Sequence, residues 1–391
     1  MKRNIIILSV LFLFVSALLV STAASDTLET SESIITTSSA YETTPTLGND
    51  GTTDLVVYTS KQVLGGGALG PGDIWYQPLV DGEPSGQPEQ VTSGDTDDQL
   101  NDVSGDYIVF TAYDSVTSSS GSIIAYQISD PGLSTLGTAT IIQEPKIHGS
   151  RVVWREGGAL SATVMYFEVG WIGYGFEPRQ LAGPVPPTFA LEIGSRFAVW
   201  AELEGGTYDV YAYDFFLMTQ VRVTDTPTID ERQPATSGEW IVWQQQEGTT
   251  STIEAIHMIT LERVTIDNGV ANYNPSVDGD IIGWESDVGG NLDIWIYSIS
   301  RGESFQVTEG LEDQYLNDVF GNRVAYVEMS SGSEDVYVST FEFVEEPPPA
   351  WGEASVVGMQ SAAPSKGLNC LIGLLIPIGG VLFWKGFRKR K

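Results

Sequence analysis

The chain has 391 residues, with 51 Asp and Glu against 19 Lys and Arg, 42 Gly, two His and one Cys, and a formal charge of −32. That balance excludes a nucleic-acid partner, because phosphate binding needs a basic surface. A single Cys excludes a disulfide framework, and two His without HExxH or CxxC leave little for a transition-metal site.

At the start, Lys2 and Arg3 precede an apolar run from Ile5 to Val20 and the small residues Ser21-Thr22-Ala23-Ala24. This order predicts a secretory signal peptide over 1–24, cut near Ala24. An uncleaved anchor is the other reading, since the run is long for the apolar part of such a peptide. Residues 25–46 are rich in Ser and Thr and read as a tether, although Ser33-Ile34-Ile35-Thr36 resembles the strands described next.

From residue 47 to 344 one pattern recurs. A Gly leads a short apolar strand ending in an aromatic residue: Gly105 to Phe110, Gly149 to Trp154, Gly194 to Trp200, Gly238 to Trp243, Gly279 to Trp284 and Gly321 to Tyr326. Gly51 to Tyr58 is a looser first copy. Each aromatic is followed by a second strand, opened by Asp in its clearest copies: Asp73-Ile74-Trp75, Asp209-Val210-Tyr211, Asp293-Ile294-Trp295 and Asp335-Val336-Tyr337. A closing strand ends in Val-Thr at Val91-Thr92, Val223-Thr224, Val264-Thr265 and Val307-Thr308, and a segment such as Asn274-Pro275-Ser276-Val277 precedes each Gly.

That makes four short strands in roughly 44 residues. They are apolar on both faces, as expected of sheets packed between two neighbours. The pattern predicts an all-β fold, a single β-propeller of four-stranded blades, with a β-solenoid as the rival. Seven blades fit best, six or eight being the other counts. The seventh unit lacks its Val-Thr strand, so 33–36 is expected to supply it and close the ring, hiding an edge.

Residues 345–367 hold Pro347-Pro348-Pro349 and then Gly, Ala, Ser and Pro, a semi-rigid linker. Leu368 to Trp384 carries no charge and precedes a basic tail, 385–391. This predicts a transmembrane helix of about 25 Å with the tail in the cytoplasm and the repeats outside. Between the two ends lie all 51 acids but only 11 of the 19 bases, a net of −40. An acidic surface of that size keeps a secreted domain soluble; binding of cations or of a basic partner is the other reading.

The run Asn274-Pro275-Ser276-Val277-Asp278-Gly279 through Trp284, then Asp293-Ile294-Trp295-Ile296-Tyr297 and Gln306-Val307-Thr308, resembles the TolB-like (PD40, WD40-like) propeller repeat. The resemblance covers about 33–344 and is greatest to archaeal cell-surface propellers. It implies the propeller fold. Bacterial TolB has six blades, so a count of seven argues against a Tol–Pal role.

Among chemical motifs, no Gly-x-Ser-x-Gly occurs, and His148 and His257 take positions filled elsewhere by packing residues. Two acidic stretches occupy equivalent inter-blade positions and share an Asp-Gln…Asn-Asp core: Asp95, Asp97, Asp98 and Asp102 in one, Asp313 and Asp318 in the other. Their hard oxygens suit Ca²⁺, while local turns explain them as well. The repeated Asp73, Asp209, Asp293 and Asp335 read as a fold device, because an active site is used once. One insertion, Glu168 to Phe176, displays Trp171, Tyr174 and Phe176 among glycines, either as a contact surface or as rings packed onto a long hairpin. The functional expectation is a membrane-anchored, non-enzymatic surface propeller binding an envelope protein or glycan. The alternative is a surface hydrolase or lyase on the same scaffold.

Overall fold

The computed structural model describes residues 26–345 apart from 159–160, 186–187 and 331–332. The leader (1–24) and the apolar run (368–384) expected to span a membrane lie outside the described residues. No helix among the described residues is long and apolar enough to cross a membrane.

The described residues form strands joined by turns, with one 3₁₀ turn at Val169–Trp171 and no α-helix. Five separate sheets have four antiparallel strands each. A nine-stranded sheet consists of two further groups, touching only through a single parallel pairing of Tyr41 with Glu334. The strands thus fall into seven groups arranged as blades. Each blade begins with an inner strand: Tyr41–Asn49, Asp97–Ser104, Ile142–His148, Thr188–Ile193, Asp230–Ser237, Asn272–Asp278 and Gln314–Phe320. We number the blades 1 to 7 in that order and call the four strands of each inner, second, third and outer.

The second strand carries the Gly-led motif, and its terminal aromatic is the core of the blade. Trp154, Trp200, Trp243 and Trp284 are all at most 1 % exposed. Each indole fills the gap to a neighbouring sheet, and three find an acceptor: Trp154 donates to Glu156 Oε1, Trp200 to Glu202 Oε1 and Trp284 to Asn272 Oδ1. A buried N–H left unpaired would offset part of the gain from burying the ring. The leading glycines turn the chain from inner to second strand: Gly149 (φ 60°) and Gly279 (φ 56°) sit in the left-handed region that favours glycine. Their N–H groups then bond across a seam, Gly149 to Ser104 Oγ and Gly279 to Ser237 Oγ.

Ring closure is made by the N-terminus. Thr27–Ile34 pairs antiparallel with Ser333–Val344 as the outer strand of blade 7, with Ile34 opposite Tyr337. The Ser/Thr-rich stretch read as a tether therefore contributes two strands, Thr27–Ile34 and Tyr41–Asn49. Hydroxyl-rich composition does not distinguish a linker from an outer strand, whose exposed face is polar in either case. The closing contact is specific: Thr36 Oγ1 accepts the Val336 N–H at 2.9 Å. Thr92, Thr224 and Thr308 accept from Ile74, Val210 and Ile294 in the same way.

Candidate functional site

The inner strands line the axis of the ring, and every one is interrupted by a register shift against its second strand. In six of them a non-glycine residue has positive φ: Thr44, Leu100, Glu144, Ala190, Gln233 and Asn274. Such bulges re-aim the following side chain and leave backbone unpaired, which is why Pro45, Pro145, Pro234 and Pro275 can follow four of them. The residues just past the bulge form one layer, because each pairs with the middle of its second strand. In blade order they are Thr46, Asp102, Lys146, Glu192, Ala235, Ser276 and Asp318.

Two cavities of about 290 and 300 Å³ open along this axis from opposite ends and share Glu192, Ala235 and Ser276 in their walls. Lys146 Nζ lies 2.9 Å from Glu192 Oε2, each side chain keeping about a quarter of its surface open (25 % and 28 %). Asp102 and Asp318 complete the charged set. Burial pushes the Asp102 carboxyl up to about 7, against the pull of Lys146, and pushes Asp318 up to about 8. For Lys146 burial acts downward, but Glu192 and Asp102 outweigh it and keep it charged.

Both aspartates also hold the ring together. Asp102 Oδ2 accepts the N–H of Ile147 in blade 3 at 2.7 Å, and Asp318 Oδ2 accepts that of Leu47 in blade 1 at 2.8 Å. The other ends of the two acidic stretches have a matching job toward the preceding blade. Asp97 Oδ1 accepts from Gly72 at 2.8 Å and Asp313 Oδ1 from Leu292 at 2.9 Å. Asp230 does the same for Tyr208. Asp97 is also paired with Lys61 at 3.0 Å. Asp98 is buried with Oδ1 lacking a hydrogen-bond partner, and Asp95 is exposed. The structure thus spreads the six aspartates over the axis, two seams and the surface. No group of three or more His, Cys, Asp or Glu able to hold a metal occurs among the described residues.

The aromatic insertion lies between the third and outer strands of blade 3, on the same end of the ring as the Gly turns. It divides the two readings offered for it. Trp171 packs down, with edge contacts to Tyr166 and Phe167 at 5.6 and 5.4 Å and the Arg179 guanidinium 4.7 Å over its ring. Tyr174 and Phe176 stand out, 78 % and 53 % exposed. Sequence reading missed that the next hairpin joins them. Phe215 touches Tyr166 across the seam at 5.6 Å, and beyond it Phe216, Leu217 and Met218 are 81 %, 59 % and 79 % exposed. The signal was available as the run Phe215-Phe216-Leu217-Met218, which is too apolar for a solvated turn.

The two histidines have ordinary roles or none in a triad. His257 Nδ1 accepts the N–H groups of Ile259 and Thr260, and its ring meets Trp240 edge-on at 5.1 Å. His148 lines the axial cavity beside Ser104, Ser237 and Asp278. Those three groups instead accept the turn N–H of the following blade, from Gly149, Gly279 and Gly321.

Comparison with solved structures shows the fold. The β-propeller domain of the Trilobed protease from Pyrococcus furiosus is similar at a TM-score of 0.58 and 10 % identity, over 82 % of this chain and 98 % of that one. Oligogalacturonate lyase in complex with manganese is similar at 0.54 and 9 % identity, over 78 % and 98 %. A putative TolB from Agrobacterium tumefaciens is similar at 0.44 and 14 % identity, over 66 % and 94 %. No protein-family model and no curated protein matches the chain. The chain is therefore a β-propeller.

Proposed function

We propose that this propeller is a non-enzymatic binding module of an archaeal-type cell surface, held there by its apolar C-terminal segment, and that it contacts an envelope protein or glycan through the face carrying Tyr174, Phe176 and Phe216. The observation that carries this reading is the exposure of these three rings on two adjacent hairpins. Isolated exposed apolar residues are ordinary, whereas exposed aromatics on two hairpins that meet through the Tyr166–Phe215 contact have the composition of a contact surface. Trp171, partly buried, acts as the footing that sets the height of the insertion.

The second reading, a hydrolase or lyase, is favoured by the protease and lyase names among the similar structures. Against it stands the structural use already made of the axial polar groups: Ser104 and Ser237 accept backbone N–H bonds, and Ser237 donates to Asp278, which itself holds the Gly321 N–H. The test is crosslinking on intact cells that express the full chain, with mass spectrometry and a glycan array read alongside. Recurrent capture of one ligand, lost in Tyr174→Ala with Phe216→Ala, is expected. Unchanged capture by that double variant would remove the face from consideration, and turnover of a captured glycan or peptide would favour the enzyme.

A further inference from the structure

Four seams between blades repeat one arrangement. The threonine two residues past the outer strand accepts the N–H that follows an acid early in the third strand, as described for Thr92, Thr224, Thr308 and Thr36. The polar side chain at the start of the next inner strand lies against that same threonine: Gln314 Oε1 accepts the Thr308 hydroxyl at 3.2 Å, and Asp98, Glu231 and Glu42 take the same place beside Thr92, Thr224 and Thr36. Beside each lies the acid early in the third strand: Asp73 at the Thr92 seam, Asp209 at the Thr224 seam, Asp293 at the Thr308 seam and Asp335 at the Thr36 seam. Every seam of this kind brings negative or acceptor groups together out of water.

Two of the four are neutralised from within the chain. Between blades 4 and 5, Arg222 Nη2 lies 2.7 Å from Asp209 Oδ2 and its charge also acts on Glu231. Between blades 6 and 7, the inner-strand acid is replaced by the amide of Gln314, and Gln306 Nε2 donates to Asp293 Oδ2 at 3.2 Å. Arg222 and Gln306 hold the same place, two residues before the threonine. At the seams on either side of blade 1 that place is taken by Gln90 and by Ile34. Ile34 has no donor, and Gln90 leaves Asp73 Oδ1 without a partner.

The consequence is visible in the oxygens. At the seam between blades 4 and 5 only Glu231 Oε2 is buried without a hydrogen-bond partner, beside an Asp209 held by Arg222, whereas at the seams bordering blade 1 both acids carry such an oxygen: Glu42 Oε2 with Asp335 Oδ1, and Asp98 Oδ1 with Asp73 Oδ1. Glu42 and Asp98 are each 3 % exposed. Within each pair the charges repel, adding to the effect of burial on Glu42 and Asp98. An uncompensated buried carboxylate is strongly unfavourable, so something must neutralise these sites.

We propose that the two seams bordering blade 1 each bind a hard divalent cation of the Ca²⁺ type, one between Glu42 and Asp335 and one between Asp73 and Asp98. The oxygens around each pair are the two carboxylates of the seam, with the hydroxyls of Thr36, Ser38 and Ser60 around Glu42 and of Thr92 and Thr96 around Asp98, where the one neighbouring ammonium, Lys61, is taken up by Asp97. That donor set suits Ca²⁺, with water completing its shell. A cation at the first seam also bridges the two ends of the ring, doing there what Arg222 does within blade 4.

The experiment uses the full chain in detergent, stripped with a chelator and titrated with Ca²⁺ alone by calorimetry and thermal unfolding. Two sites are expected in the micromolar to millimolar range, with Tm rising by roughly 3–5 °C for each site filled at about 100-fold excess over Kd. Glu42→Gln and Asp98→Asn should each remove one site, and Asp95→Asn, on the surface, should remove none. Glutamine is the natural residue at the Glu42 position in blade 7, so this variant is compatible with the fold. Ile34→Arg should remove the first site while raising the cation-free Tm, by supplying the missing guanidinium. Equal Ca²⁺ uptake by wild type, Glu42→Gln and Asp98→Asn would overturn the proposal in favour of diffuse binding to an acidic surface. A Tm insensitive to millimolar Ca²⁺ but raised by acidification would overturn it in favour of protons at these oxygens.

Discussion

The hydroxyl of Thr36 accepts the backbone N–H of Val336 at 2.9 Å, a contact spanning 300 residues of sequence. It reproduces the Thr308 to Ile294 bond of blade 6, which spans only 14. The same local device therefore serves within a blade and to shut the ring, and only the chain connectivity differs.

Thr36→Val tests that closure. The substitution keeps the shape and removes a buried hydrogen bond, so a loss of about 1–2 kcal/mol is expected by urea unfolding. Thr308→Val should lose a similar amount. Removing 26–36 altogether should do more than destabilise: it bares the whole strand Ser333–Val344, and concentration-dependent association in light scattering is the expected readout.

The axial aspartates should make stability depend on pH. Asp102 and Asp318 keep their protons in the fold up to about 7 and about 8, whereas the unfolded chain releases them near the ordinary value of about 4. The folded state binds more protons across that interval, so this contribution to stability is present at low pH and is lost as pH rises from about 4 to 8. Unfolding free energies of wild type and Asp318→Asn, measured across the interval, should differ in slope, with the variant flatter. Parallel curves would count against the protonated state.

Around the insertion, stability and binding should separate. Tyr174→Ala and Phe216→Ala are expected to change unfolding free energy by less than about 0.5 kcal/mol, since both rings are largely in water. Trp171→Ala removes contacts to three aromatic neighbours and should cost about 1–3 kcal/mol. Chemical denaturation of the three variants beside one binding assay would show this division.

The blade core should be the least tolerant place. Trp200→Ala leaves a large void and takes from Glu202 Oε1 the closer of its two donors, the other being Gln220, for an expected loss of about 3–5 kcal/mol. Gly279→Ala keeps the core but forces φ 56° on an alanine, for about 1–2 kcal/mol. Comparing the two by calorimetry separates packing from turn strain.

Much of the architecture was legible because it repeats. Trp154, Trp200, Trp243 and Trp284 recur at a spacing that only a stack of like sheets accounts for, and Ile35-Thr36 could be matched to Val307-Thr308 before any coordinates. The candidate site was legible only in part. Trp171, Tyr174 and Phe176 were noticed as a break in the repeat, but their separation into a partly buried footing and exposed rings was not. Phe216 escaped notice because its partner surface belongs to another blade.

Sequence alone determined the blade, its turn glycines and its aromatic core, since each follows from local pattern and from burial of both sheet faces. It also determined that a segment ahead of the first blade closes the ring, although the closing strand runs over Thr27–Ile34 rather than the expected 33–36. Only the tertiary structure decided what the acids do. Asp97 and Asp102 are five residues apart in one stretch, yet one pins the preceding blade and the other faces the axis and pins the following one. Likewise Asp209 and Asp335 lie early in equivalent strands, but Arg222 reaches the first while Ile34, from the far end of the chain, stands beside the second. A carboxylate's role is set by the charges and donors that surround it in space, and around a closed ring those come from neighbours that sequence order does not reveal.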